Sequence, residues 1–252
     1  MTEKLPSAET LAGMPLHEIT ITYGTAGLIG RYNLEVASLP EESQWQLNQA
    51  FLSAAEWHKD QKRTNGPYID HILRVMLRVI SHYGIDDPDI LTAALLHDSI
   101  EDQRDKIVGH EGSTVEEALA VVTETYNPRV AAILKALTNP PGDISREQYD
   151  EHVRQSLLGE PDATPVKISD FADNAAGIFW TIGEDKKHQL SYKYLPLVPF
   201  YRDLIYQDTY PFNPEAKQKI LKQLSDAELR MNDIIKAARQ QSVGTIASKH
   251  YN

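Results

Sequence analysis

Cysteine is missing from the chain altogether. That excludes disulfides, thiolate metal ligands and a cysteine nucleophile, and it suits the reducing cytoplasm where we expect this protein to work. Long apolar runs are missing too. No stretch reaches the roughly 18–20 residues that a membrane span needs, and Met1 to Pro15 lacks the basic flank and apolar core of a signal peptide. Positive charge is scarce: 25 Lys and Arg face 36 Asp and Glu, a formal net charge of −11. A groove for nucleic acid needs a positive face, so such partners are disfavoured. A small phosphorylated nucleotide remains open as a partner, because one divalent cation and a few local cations can reverse the sign inside a pocket. The sequence leaves the choice between monomer and homo-oligomer open. Internal repeats and low-complexity linkers are also lacking, and the length suffices for a sizeable core.

What is present is mostly helical punctuation. Residues 43–252 read as one all-α domain, a helical bundle, and residues 1–42 as an N-terminal extension. In that extension Ile19, Ile21 and Tyr23 alternate with polar residues, which reads equally as a short strand or an extended arm. Further on, Trp45, Leu47, Phe51, Ala54, Ala55 and His58 recur at three- and four-residue intervals, one face of a helix. Asp70 is expected to cap a second helix that carries Ile72 to Ile80. Asp87-Pro88, Asn127-Pro128 and Asn213-Pro214 each pair an N-cap with proline at the first helical position. Ser113 with Glu116 and Ser145 with Gln148 have capping-box spacing.

The chemistry concentrates in Ala93-Ala94-Leu95-Leu96-His97-Asp98-Ser99-Ile100-Glu101-Asp102. An apolar helix runs into two acidic or metal-ligating dyads one turn apart, so they project from nearly the same face. Burying such groups costs several kcal/mol, on the order of the penalty for any unpaired polar group, unless they are paired or metal-bound. An isolated His-Asp has a plainer reading, a histidine on a helix dipole followed by a capping aspartate.

The flanking segments change that reading. Upstream stands His58, then Gln61-Lys62-Arg63-Thr64-Asn65-Gly66-Pro67-Tyr68-Ile69-Asp70-His71; downstream stand Val166-Lys167-Ile168-Ser169-Asp170 with Asn174 four residues on, and later Tyr194-Leu195-Pro196-Leu197. Taken in order, these motifs resemble the HD-domain phosphohydrolases, and within them the alarmone hydrolase domain of the RelA/SpoT and Mesh1 type. The resemblance covers roughly Phe51 to Tyr201. It implies a divalent metal held by His71, His97, Asp98 and Asp170, with Mn²⁺ favoured by precedent and Fe²⁺ or Zn²⁺ also suited to such a donor set. It implies that Glu101 and Asp102 manage the nucleophilic water. It also implies that Arg63, Asn174 and Tyr194 meet the nucleotide. Lys59, Lys62 and Asn65 are weaker candidates near Arg63. His58 reads as structural, and His82, His110, His152, His188 and His250 have no ligand-like setting.

Three departures from the family pattern stand out. The loop after Arg63 is one residue short. Phe171 stands where the family has a cation, so a phosphate-facing or loop-holding charge is expected to be missing. Asp173 adds a second carboxylate, either an alternative metal ligand or a group that repels substrate. The expected activity is release of diphosphate from the 3′ position of guanosine 3′,5′-bis(diphosphate), ppGpp. The alternatives are an HD phosphohydrolase of another small nucleotide (a nucleotidase or an NADPH phosphatase) and a nucleotide-binding module without turnover.

Overall fold

The computed structural model describes residues 6–63, 66–177 and 183–249, with side chains to residue 240. Asn65 and His250 lie outside the described residues. In chain order the helices are α1 (Ala8–Gly13), α2 (Leu16–Val36), α3 (Glu41–Trp57), α4 (Tyr68–Ser81), α5 (Pro88–Leu96), α6 (Ser99–Asp102) and α7 (Arg104–Val108). They continue with α8 (Val115–Thr125), α9 (Pro128–Leu137), α10 (Arg146–Gly159), α11 (Thr164–Gly177), α12 (Glu184–Tyr194), α13 (Val198–Tyr206) and α14 (Pro214–Lys249). Between α3 and α4 a two-stranded antiparallel hairpin, β1 (Lys62–Arg63) and β2 (Gly66–Pro67), pairs Arg63 with Gly66. The fold is therefore all-α.

Helix α4 is the centre of the bundle, covered by α2, α5 and α11. From Asp70 to Ile80 all its residues but Arg74 are buried, so α4 carries both apolar core and charged groups inward. Helix α5 is buried from Ile90 to Leu96 and delivers His97 as its C-cap. The cap chemistry predicted at Asp87, Asn127, Ser145 and Asn213 is present: each side chain accepts hydrogen bonds from backbone N–H groups of its helix's first turn. The capping box of α8 sits one residue later than expected, on Thr114 and Glu117. Trp45 also departs from its expected face and stays 65% exposed, while Leu47 and Ala54 reach the core.

The N-terminal segment requires a correction. It is neither a strand nor an extended arm but two helices. In α2, Leu16, Ile19, Leu28, Tyr32 and Val36 are buried, while Ile21 is 63% exposed, so the alternation of Ile19, Ile21 and Tyr23 is incidental to a 3.6-residue period. The disguise has a second cause. Gly24 adopts φ 59° and ψ −152° and kinks α2, a backbone conformation that glycine alone enters readily. Asp70, expected as a cap, lies inside the first turn of α4 instead. Its buried carboxylate accepts a 2.6 Å hydrogen bond from Thr25 Oγ1, which fastens α2 to the central helix.

Candidate metal centre

His71 on α4, His97 at the end of α5 and Asp170 on α11 come from three helices packed on one another, and a ligand atom from each lies within 4.8 Å of the others. His71 Nε2 is 3.3 Å from His97 Nε2 and 3.3 Å from Asp170 Oδ1. Asp98 Oδ2 stands 3.5 Å from His71 Nε2 and 3.1 Å from His97 Nε2. It is turned by Tyr68, whose hydroxyl donates a 2.6 Å hydrogen bond to the same oxygen.

The outer edges of both imidazoles are committed. His71 Nδ1 donates to Asp173 Oδ2 at 2.8 Å, and His97 Nδ1 donates to the Ala94 carbonyl at 3.0 Å. With both Nδ1 atoms used as donors, both Nε2 lone pairs point at one place. Two such lone pairs 3.3 Å apart, beside two carboxylates, call for a positive charge between them. Without an ion a proton serves. Burial and the Arg63 guanidinium disfavour the His71 imidazolium, yet hydrogen bonds to Asp170, Asp173 and Asp98 outweigh them and push its pKa up to about 9. Burial alone would raise Asp98, but His97 and His71 hold it well below the usual carboxylate range. This donor set, two neutral imidazoles and hard carboxylate oxygens, fits a first-row divalent ion.

Asp173 is engaged at four points. Its Oδ1 accepts from Arg74 Nε (2.9 Å) and Arg78 Nη2 (3.1 Å), and its Oδ2 from His71 Nδ1 (2.8 Å) and Arg74 Nη2 (3.0 Å). It meets the far edge of His71, opposite the Nε2 atom that faces Asp170. Despite burial, Arg74, His71 and Arg78 keep it ionised far below the usual range. Phe171, which stands where the family pattern has a cation, does not line the cavity. It is buried in the core, edge-on to Tyr194 and Tyr201, and does not face the site.

Glu101 and Asp102, in the turn of α6 just beyond Asp98, are both exposed to the cavity that opens over the centre. Asn139 holds Glu101 Oε2 through its side-chain amide at 2.8 Å, and Gln61 Nε2 holds Asp102 Oδ2 at 3.0 Å. Gln61 is backed by His58 Nδ1, and His58 Nε2 reaches Ser99 Oγ at 3.1 Å. His58 also stacks on the Tyr68 ring, centroids 4.9 Å apart and 9° from parallel. It thus supports the residues that orient Asp102 and Asp98. Arg63 packs over Tyr68 and donates to Asn174 Oδ1 at 2.9 Å, while Asn174 Nδ2 donates to Asp170 Oδ1 at 2.8 Å. Lys59 pairs with Glu56 on the surface and Lys62 is exposed at the cavity rim. The cavity has a volume of about 1150 Å³, ample for a nucleotide, and Tyr194 lines it.

Sequence reasoning missed the work of Arg74, Arg78 and Asn139. For Arg74 and Arg78 the one sequence signal is a charged side chain on the otherwise apolar face of α4.

No family model matches the chain. It is 31% identical over 150 residues to the guanosine-3′,5′-bis(diphosphate) 3′-pyrophosphohydrolase of Aquifex aeolicus, a match over 58% of this chain and 19% of that protein. It is 38% identical over 132 residues to the human guanosine-3′,5′-bis(diphosphate) 3′-pyrophosphohydrolase MESH1, over 50% of this chain and 65% of that protein. The chain thus spans under a fifth of the first relative and about two-thirds of the second. A solved structure described as "A metazoan ortholog of SpoT hydrolyzes ppGpp and plays a role in starvation responses" superposes with TM-score 0.50 at 18% identity, over 77% of this chain and 95% of that one. That likeness gives the fold, the helical HD-type bundle. No helix among the described residues is long and apolar enough to cross a membrane.

Proposed function

We propose that this chain, a homologue of the RelA/SpoT and Mesh1-type HD hydrolases, is a metal-dependent phosphohydrolase that releases diphosphate from the 3′ position of ppGpp. The observation that carries the reading is the convergence of His71, His97 and Asp170 beneath a cavity whose rim holds Glu101 and Asp102. His71, His97, Asp98 and Asp170 would hold the metal, and Mn²⁺ suits the mixed imidazole and carboxylate set. When bound, the ion acidifies water and polarises a phosphoryl oxygen. The chain's own residues do the rest. Glu101 and Asp102, pinned by Asn139 and Gln61, orient the attacking water and take or return its proton. Arg63 and Asn174, joined to one another beside Asp170, form the edge that meets the nucleoside. Tyr194 lines the same cavity.

The test is a screen of the purified chain with Mn²⁺ over ppGpp and other small nucleotides. Diphosphate and GDP from ppGpp are expected. Turnover of another nucleotide with none from ppGpp would transfer the site to the wider nucleotidase class.

Asp173 takes a positioning role in this scheme. It fixes the His71 tautomer, and Arg74 with Arg78 fix Asp173. All four of its hydrogen bonds come from donors, so an amide at this position would set its NH₂ against either His71 or an arginine. Asp173→Asn is therefore expected to weaken Mn²⁺ binding about 10- to 100-fold while leaving a saturable site, read by titration calorimetry of the metal-free protein. Wild-type affinity in that variant would remove Asp173 from the metal's support.

A further inference from the structure

Two ammonium groups on the cavity wall form no ion pair among the described residues. Lys167 lies on α11 one turn before Asp170 and is only 8% exposed. Lys193 lies on α12 with its Nζ 4.4 Å from the centre of the Tyr149 ring and 5.3 Å from that of Tyr194. Both lysines and both tyrosines line the cavity. Among the described residues no carboxylate oxygen comes within 4.0 Å of either ammonium, and neither tyrosine hydroxyl has a hydrogen-bond partner. Tyr149 is 7% exposed and Tyr194 8%. Cations taken out of water without an ion-pair partner are costly, and an arriving anion would offset that cost. Lys193 feels this cost: burial and the charge of Lys167 lower its pKa despite the acids of the metal centre.

From this arrangement we infer that Lys167, Lys193 and the hydroxyls of Tyr149 and Tyr194 form an anion seat for a phosphate or diphosphate group. The two lysines supply charge and the two tyrosines supply neutral donors, which together suit a tetrahedral oxyanion with several acceptor oxygens. The seat lies on the same cavity as the metal centre, so it deepens the reading given above and rests on it for the identity of the bound group: the diphosphate of the substrate. It also replaces the cation that Phe171 fails to provide, because positions 167 and 193 face the cavity and position 171 faces the core.

The probe is inorganic phosphate, titrated calorimetrically into the full, Mn²⁺-loaded chain. Wild type is expected to bind it, and Lys193→Met and Lys167→Met are each expected to weaken binding about tenfold or more, the usual worth of one charge-assisted contact. Lys193→Arg should stay near wild type, and so should Lys135→Met, which removes one exposed charge on α9 away from the cavity. Melting curves of the variants establish that each is folded. Failure of wild type to bind phosphate, or unchanged affinity in both Lys→Met variants, would overturn the seat. Lysine-dependent phosphate binding in a chain that leaves ppGpp intact would uphold the seat and dismiss only the substrate. Hydrolysis of ppGpp with phosphate affinity unchanged in both variants would do the opposite.

Discussion

Asp170→Ala should emerge from purification without metal and with hydrolysis reduced by a factor on the order of 10³ or more, as for a metal-dependent site left empty. The geometry gives the reason. Asp170 Oδ1 is 3.3 Å from His71 Nε2 and 3.8 Å from His97 Nε2, so it supplies the carboxylate between two imidazole lone pairs. Its loss leaves His71, His97 and Asp98, and the Asp98 oxygen that faces them is shared with the Tyr68 hydroxyl. It also frees Asn174, whose amide Asp170 holds, and through Asn174 it releases Arg63. The same change should therefore affect both metal content and nucleotide affinity. Elemental analysis of the purified variant, with activity at saturating Mn²⁺, checks the claim. Asp173→Asn is the contrast, since it should weaken the metal without emptying the site. Full metal content in Asp170→Ala, with loss in Asp173→Asn, would reassign the ligand.

The double variant Glu101→Gln, Asp102→Asn should keep its metal and lose about 10³-fold in kcat, within the usual range for removing general acid–base groups. Neither carboxylate contacts the two imidazoles. Glu101 is held by Asn139 and Asp102 by Gln61, so isosteric amides leave the metal centre's own contacts in place. What they remove is the ability to accept a proton from water and pass it to the departing oxygen. Metal stoichiometry and steady-state kinetics on one preparation separate the two effects. Near-normal turnover with bound metal would sink the assignment of Glu101 and Asp102, and loss of metal would move them into the coordination set.

Much of this molecule is legible in short windows of sequence, because the responsible forces act over one helical turn. The caps at Asp87, Asn127, Ser145 and Asn213 bond to backbone two or three residues away. The apolar run before His97 had to be a buried helix, and ionisable groups at its end had to find compensation there. The order of motifs from His58 to Tyr194 supplied which residues would meet. Misreadings were local as well. Ile19, Ile21 and Tyr23 mimic a strand because a kink at Gly24 and the docking of α2 on α4 are settled by burial along the whole helix, not by five residues.

The candidate metal centre is where local signals end. His71 meets Asp173 across 102 residues of sequence, Arg63 meets Asn174 across 111, and Gln61 meets Asp102 across 41. The sequence alone determined an all-α chain and marked His71, His97, Asp98, Asp170, Glu101 and Asp102 as its candidate ligands and acids. Only the tertiary structure decided what Asp173 and Phe171 do, two residues apart on α11. Helix rotation turns Asp173 to the outer edge of His71, where two arginines balance its buried charge. The same rotation turns Phe171 into the core, while Lys167 and Lys193, on two different helices, are among the cations lining the cavity. Charge must be balanced wherever the packing buries it, and the packing, not the order of residues, chooses the partners.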